Sequence, residues 1–354
     1  MRAEDLLVPT PHGLCCPPAG FHIDPVRPVE RALITHGHSD HARAGHGAVL
    51  ATAETLDFMR LRYGDRHARS TQVARYGETL SIDGIAVTFR PAGHILGSAQ
   101  ICVEWNGLRM VASGDYKDVR DPTCASFEPI ACDVFITEAT FGLPVFRHPE
   151  PLGEIRKLID SVALFPERAH LVGAYALGKA QRVIALARQA GYDRPIYLHG
   201  AMEKLTHRYV ERGVDLGELR AVRDATKAEL AGTIALCPPA ALQDVWTRRF
   251  PEPVTTFASG WMRVRARARQ RGVELPLVIS DHADWDGLTA TIPATGAREV
   301  WITHGEEDAL MHWCQTRGIP ARPLRLVGYG EEEAESVMAD DGAATIGDDS
   351  EVVA

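Results

Sequence analysis

The sequence predicts a mixed α/β fold made in two styles, and three observations carry that expectation. Up to about residue 140, short apolar runs with alternating character dominate. From about 150 to 260, each apolar run is followed by a helical pattern, the rhythm of βαβ units on a small parallel sheet. After 275 the short-strand style returns. Two units follow from this change of rhythm, the second inserted into the first. No repeat with a period of 20 to 50 residues is present, so solenoids and propellers are excluded.

Taken in order, RALIT (31–35), AVLAT (48–52) and IAVTF (85–89) read as strands. AQICVEW and LRMVAS flank Asn106-Gly107, and this dipeptide between alternating runs signals a type I′ hairpin. In the middle stretch HLVGAY precedes the helical GKAQRVIALARQAG, PIYLHG precedes AMEKLTHRYVERG, and IALCPP precedes AALQDVWTRRF. PLVISD, EVWITHG and the helical EEDALMHWCQTRG complete the chain before its tail.

Composition is that of a folded protein, with 45% hydrophobic and 24% charged residues over 354 positions. The formal net charge of -9 argues at first against a polyanionic partner, but its location removes that argument. Residues 331–354 hold nine carboxylates and no Lys or Arg; taking nine from the 47 Asp and Glu leaves 38, equal to the 38 Lys and Arg. The body is neutral and nucleic acid stays allowed. The tail itself is acidic and poor in aromatics, and is expected to be disordered. Seven cysteines, none in a CxxC pair and two adjacent at Cys15 and Cys16, fit a reducing, cytoplasmic compartment better than a disulfide framework. Neither a signal-like apolar segment at the N-terminus nor an 18-residue apolar stretch is present, so no membrane association is expected.

LITHGHSDHARAGH is the most informative segment. His36 and His38 stand two apart at the end of an apolar strand and project to one side. Ser39 has the side chain of a helix N-cap, and beyond it Asp40 and His41 arrive from another direction. Three imidazoles and a carboxylate in six residues suit Zn²⁺ or Mn²⁺. Two other segments offer donors at strand ends: His94 in the Gly-flanked turn of FRPAGHILGSAQ, and Asp115 in MVASGDYKD, placed where a carboxylate can bridge two cations.

These motifs resemble the metallo-β-lactamase superfamily. HGHSDH, GH at 93–94 and GD at 114–115 look like its second to fourth motifs, and Asp24 in HIDPVRPVE like its first. Glu138 in ITEATFG, His282 in ISDHADW and His304 in WITHGEE look like motifs A, B and C of the β-CASP nuclease branch. VGAYALGKAQRVI, FASGWMRVRARA and LVISDHADW together resemble the bacterial DNA-ligase-associated exonucleases. The resemblance covers about residues 10 to 330 and implies an αββα sandwich with an inserted α/β β-CASP cap. The core would be formed by 1–145 and 263–330, the cap by 146–262, with the acidic tail at 331–354. It implies two divalent metal ions, zinc or manganese: His36, His38 and His94 on one, Asp40, His41 and His304 on the other, Asp115 bridging. Asp24 would orient an imidazole from behind. Asp40, Glu138 and His282 would take part in catalysis, His282 held by Glu138 and serving the leaving oxygen. The implied activity is metal-dependent phosphodiester hydrolysis, as a DNA exonuclease in repair associated with a DNA ligase. A histidine at motif C is a mark of RNA-processing members, so an RNA-processing ribonuclease is the alternative. A small-molecule metallo-hydrolase and a non-catalytic nucleic-acid scaffold are further ones.

GAYALGKA (173–180) nearly meets the spacing of a phosphate-binding loop, with Gly173, Gly178 and Lys179, but Ala180 stands where a Mg²⁺-binding hydroxyl belongs. Lys179 at a helix start remains a candidate for a substrate phosphate. Arg263, Arg265 and Arg267, continued by Arg269 and Arg271, would line one face if extended and could track a nucleic-acid backbone, with Trp261 beside them as a base-stacking group; in a helix they would fan around the axis. His46, His199, His207 and His312 lack a partner pattern and read as structural or exposed, and Asp284 and Asp286 as helix caps.

Overall fold

The computed structural model describes residues 2–324 and 326; the tail at 331–354 lies outside them. A short helix α1 (Ala3–Leu6) leads into the first sheet: β1 (Val8–Thr10), β2 (Gly13–Cys16), β3 (Phe21–Ile23), β4 (Arg31–Leu33), β5 (His46–Ala51) and, after α2 (Ala53–Tyr63), β6 (Ala68–Val73). These six strands pair in chain order. The second sheet begins with β7 (Thr79–Ile82), β8 (Ile85–Pro91), β9 (Ala99–Trp105), β10 (Leu108–Ala112) and β11 (Val134–Ala139). Asn106 (φ 47°) and Gly107 (φ 81°) both take the left-handed turn conformation between β9 and β10, as a type I′ hairpin requires.

The chain then leaves the second sheet over residues 140–298. It builds α3 (Pro151–Leu164), β12 (His170–Gly173), α4 (Lys179–Gln189), β13 (Ile196–Leu198), α5 (Gly200–Glu211), β14 (Leu219–Ala221), β15 (Ile234–Cys237), β16 (Val254–Ala258), α6 (Arg265–Gln270) and β17 (Leu275–Leu277). Strands β12 to β17 form a third, all-parallel sheet in the order β14-β13-β15-β12-β16-β17. After α7 (Trp285–Ala294) the chain returns to the second sheet with β18 (Glu299–Gly305), α8 (Glu307–Gln315) and β19 (Ala321–Pro323). Strand β18 pairs in parallel beside β11, so the third sheet is inserted between neighbours of the second.

Burial explains the layering. The alternating faces of β8 to β10 send Ile85, Val87, Phe89, Ile101, Val103 and Met110 onto Leu14, Phe21, Leu33 and Leu50 of the first sheet. The far side of the first sheet packs on α2 through Leu56 and Met59. The far side of the second carries α7 and α8 through Leu288, Ile292 and Leu310. One face of the third sheet is covered by α3, α4 and α5, and Phe58 and Ile95 from the two-sheet body join that core, so the inserted stretch and the body share a packed boundary. The other face packs Leu171, Tyr197, Ala235 and Phe250.

Two expectations need correction. AALQDVWTRRF forms 3₁₀ turns, Pro239–Gln243 and Val245–Arg249, broken where the Asp244 side chain accepts from Trp246 N–H. The expected boundary at 262 falls within the third sheet, because β17 at Leu275–Leu277 pairs with β16.

Candidate metal centre

Strand direction fixes where the polar residues meet. β3 and β4 are parallel, as are β10, β11 and β18, and β8 runs the same way as β10 across antiparallel β9. Asp24 just past β3, His36 to His41 past β4, His94 past β8, Asp115 past β10, Glu138 in β11 and His304 in β18 therefore collect at one end of the two-sheet body. After β4 the chain does not start a helix. The N–H groups of His41 and Ala42 both donate to the His38 carbonyl, at 3.3 and 2.7 Å, closing a turn that aims the imidazoles inward. Ser39 accordingly caps no helix, because the turn at His38 turns the chain back toward β5.

A chain of hydrogen bonds sets the tautomers. The Asp24 carboxylate accepts from Thr35 N–H (2.8 Å), from the Thr35 hydroxyl (2.6 Å) and from His41 Nδ1–H (2.8 Å). Having given its proton to Asp24, the Thr35 hydroxyl oxygen accepts from His36 Nδ1–H at 3.0 Å. His38 Nε2–H donates to the Leu177 carbonyl (3.1 Å) and His94 Nδ1–H to the Asp281 carbonyl (2.9 Å). Each imidazole thus turns its other nitrogen, as a lone pair, to a common centre.

There His38 Nδ1 lies 3.1 Å from His36 Nε2 and 3.0 Å from His94 Nε2. Nitrogen lone pairs so placed repel unless a cation sits between them, and the edge of a tetrahedral zinc site is about 3.3 Å. Asp115 Oδ2 is 3.5 Å from both His36 Nε2 and His41 Nε2 and 3.8 Å from His94 Nε2, while its Oδ1 is 3.5 Å from His304 Nδ1. Among the described residues four donor groups result; two of them, His36–His38–His94–Asp115 and His41–Asp115–His304, share Asp115, and Asp115–Glu138–His282 and His94–Asp281–His282 adjoin them. Asp40 Oδ2 stands 3.5 Å from His41 Nε2 at the edge of the second.

His304 reaches this position through a β-bulge. Pairing of β11 with β18 passes from Glu138↔Thr303 to Ala139↔Gly305, leaving His304 as the extra residue with φ 55°.

Electrostatics agree with a cation site. Burial pushes His36 and His94 well below the usual imidazole range and lowers His38, keeping them neutral donors. Burial also opposes charge on His41, but Asp115, Asp40 and Asp24 override it and raise His41 to about 10. A field able to hold a proton on a fully buried ring favours a divalent cation in the same place. Beside the cluster, His282 Nδ1 is 2.9 and 3.1 Å from the two oxygens of buried Glu138, and its ring centre is 4.6 Å from that of His94. Burial would lower His282, yet Glu138 raises it to about 10.

No family model matches the chain. A protein named probable DNA ligase from Opitutus terrae is 29% identical over 321 residues, 88% of this chain and 30% of its own. Endoribonuclease YSH1 from Gibberella zeae is 34% identical over 212 residues, covering 48% of this chain and 25% of its own. Ribonuclease TTHA0252 from Thermus thermophilus is 29% identical over 220 residues, 52% and 49% respectively. The chain is a relative of the β-CASP branch of the metallo-β-lactamase superfamily. It spans between about a quarter and a half of the length of these curated relatives. A crystal structure of a protein of unknown function from Enterococcus faecalis shares the fold, with a TM-score of 0.52 and 13% identity over 84% of this chain and 80% of that one.

In this β-CASP relative the donor residues quoted from the motifs come together, whereas the suggested strand-binding residues do not. Lys179 is buried with Nζ 2.6 Å from Asp281 Oδ1, so it presents no cation to a passing phosphate. The arginine run is helical from Arg265 in α6, and the arginines fan out rather than share a face. Arg263, Arg265 and Arg267 are all exposed, and Arg267 lies 4.1 Å over the Trp261 ring, which also packs on Phe141 and Phe146. Asp284 caps α7 by accepting from Gly287 N–H, and Asp286 pairs with Arg147 instead. His46 and His199 accept backbone N–H groups away from the centre.

Three contributors escaped the sequence reading: Thr35, Asp281 and the Leu177 carbonyl. Asp281 stands immediately before His282 and could have been suspected from that adjacency; a backbone carbonyl carries no signal of its own. Among the described residues no helix is long and apolar enough to cross a membrane.

Proposed function

We propose that the chain is a two-metal phosphodiesterase acting as a DNA exonuclease, on a metallo-β-lactamase αββα sandwich formed by the first two sheets. The third sheet is its β-CASP cap, reaching from about 146 to Leu277 rather than to 262. The observation that carries this reading is the pair of donor groups sharing Asp115, with the Glu138–His282 pair alongside. In this reading His36, His38 and His94 would hold one ion, Asp40, His41 and His304 the other, and Asp115 would serve both. Divalent ions bound there would bring the pKa of water toward roughly 7 and neutralise charge on the phosphoryl oxygens.

The chain's own residues do the rest. Asp24 fixes His41 directly and His36 through Thr35, so these donors are set before any ion arrives. Glu138 keeps His282 protonated and holds Nδ1, which leaves Nε2–H to face the leaving oxygen as donor.

Preference for DNA is supported by the relative named as a DNA ligase, which matches 88% of this chain, against about half for the two ribonucleases. The ribonuclease names and His304 favour the second reading, an RNA-processing nuclease. End-labelled single-stranded DNA and RNA of one sequence, incubated with Mn²⁺ or Zn²⁺, separate the two. Progressive shortening of DNA, slower on RNA and absent in His36→Ala/Asp40→Ala, is the expected result. Faster loss of RNA would transfer the assignment to the second reading, and no cleavage of either would end both.

A further inference from the structure

The start of α4 belongs to the inserted stretch, yet it makes three separate contacts with the metal centre or the segments that bear it. The Leu177 carbonyl accepts from His38 Nε2–H at 3.1 Å. Gly178, at φ 90°, lies so close to Ile95, the neighbour of His94, that a Cβ there would come within 2.2 Å of Ile95 Cγ2. Lys179 Nζ pairs at 2.6 Å with Asp281, both side chains under 5% exposed.

Asp281 in turn meets two members of the site. Its carbonyl accepts a hydrogen bond from His94 Nδ1–H, and its Oδ1 is 3.8 Å from His282 Nε2. The turn itself is secured locally, since Gln181 Oε1 accepts from Gly178 N–H at 2.7 Å. One helical step on, Arg182 shares the face of Lys179, pairs with Asp121 at 2.6 Å and donates to the Ser280 carbonyl. Two buried cations on one helix face thus grip two segments near the donors, at Asp121 and at 280–281.

We propose that residues 177–179 are a positioning element for the metal centre, supplied by the inserted stretch, with Lys179 acting through Asp281 on His94 and His282. The GAYALGKA motif acquires a use unrelated to nucleotide phosphates: Gly178 permits the close approach and Lys179 anchors Asp281. The inference rests on the metal-centre reading and adds that tight metal binding requires this contact across the boundary between the inserted stretch and the two-sheet body.

The test is calorimetric titration of the chelator-stripped full chain with Mn²⁺, together with its melting temperature. Lys179→Met is expected to weaken Mn²⁺ binding roughly 10- to 100-fold. Lys179→Arg, which keeps the cation, recovers most of it. Because Lys179→Met takes the lysine from a buried carboxylate and lowers stability, Lys179→Met/Asp281→Asn is measured beside it. The double variant is expected to regain stability while its Mn²⁺ affinity stays low. Wild-type affinity in Lys179→Met, or recovery of both stability and affinity in the double variant, overturns the inference. His36→Ala distinguishes the two levels: if it binds Mn²⁺ as the wild type does, the metal centre itself is refuted and this inference with it.

Discussion

Glu138 and His282 act as a unit, since the carboxylate that fixes the ring also keeps it protonated. Glu138→Gln preserves the shape and removes the charge, so activity is expected to drop by about 10²- to 10⁴-fold while metal content measured by mass spectrometry stays the same. A second residue gives a pH signature away from the donors. His170 in β12 is fully buried, with Nε2 2.8 Å from the Ser161 hydroxyl, and burial pushes it down to about 4. Its folded pKa lies below the unfolded 6.5, so the unfolded chain binds the extra proton, and stability is lost as pH falls from 6.5 toward 4. Melting curves over that window should fall with a slope of up to about 1.4 kcal/mol per pH unit from this group, and His170→Gln should flatten that contribution. Residue types at this scale were readable from the sequence where the chemistry demands them. Thr35 was not, because a threonine becomes a relay only when Asp24 and His36 are folded onto it.

Gly107 and Gly178 separate two reasons for glycine in an element's end. Both have positive φ, but a Cβ on Gly107 meets open space, whereas one on Gly178 strikes Ile95. Gly107→Ala is expected to cost about 1 kcal/mol, the conformational penalty alone, and Gly178→Ala about 2–4 kcal/mol. Denaturant titration of both variants checks this; equal costs would mean that the α4 turn is loosely docked. Elements with strict alternation or a strong turn signal, such as β9, the Asn106-Gly107 turn and β18, stand where the sequence put them. AALQDVWTRRF did not, since its apolar residues satisfy a helical period but the Asp244 side chain captures the backbone first. The bulge at His304 was equally hidden, because an extra residue is defined only against a partner strand.

Over the whole molecule the sheets bring the donors to one edge, and binding of ions there would link metal to folding. Chelation of the metal-loaded protein should lower its melting temperature, by an amount corresponding to about 2.7 kcal/mol when free metal is 100 times its dissociation constant. Identical curves with and without chelator would contradict the site. Arg263, in the turn before α6, and Arg265 and Arg267 of α6 are exposed on the exterior. Replacing Arg263, Arg265 and Arg267 by Ala together should weaken single-stranded DNA binding and reduce the salt slope by up to about 2, at roughly 0.7 per lost phosphate contact. An unchanged slope would remove these three arginines from the binding surface.

Sequence alone determined the kinds of donor, their order along the chain and the interruption of one fold style by another, because ligand chemistry and the hydrophobic period are local properties of residue type and spacing. The tertiary structure decided what each group faces. Lys179 reads as a phosphate ligand in a linear motif and becomes the buried partner of Asp281 only because α4 is pressed against the two-sheet body. The arginine run reads as one face and becomes a fan because the chain coils there. Contacts between residues a hundred positions apart are set by which strands run parallel and which layers share a core, and no local pattern encodes them.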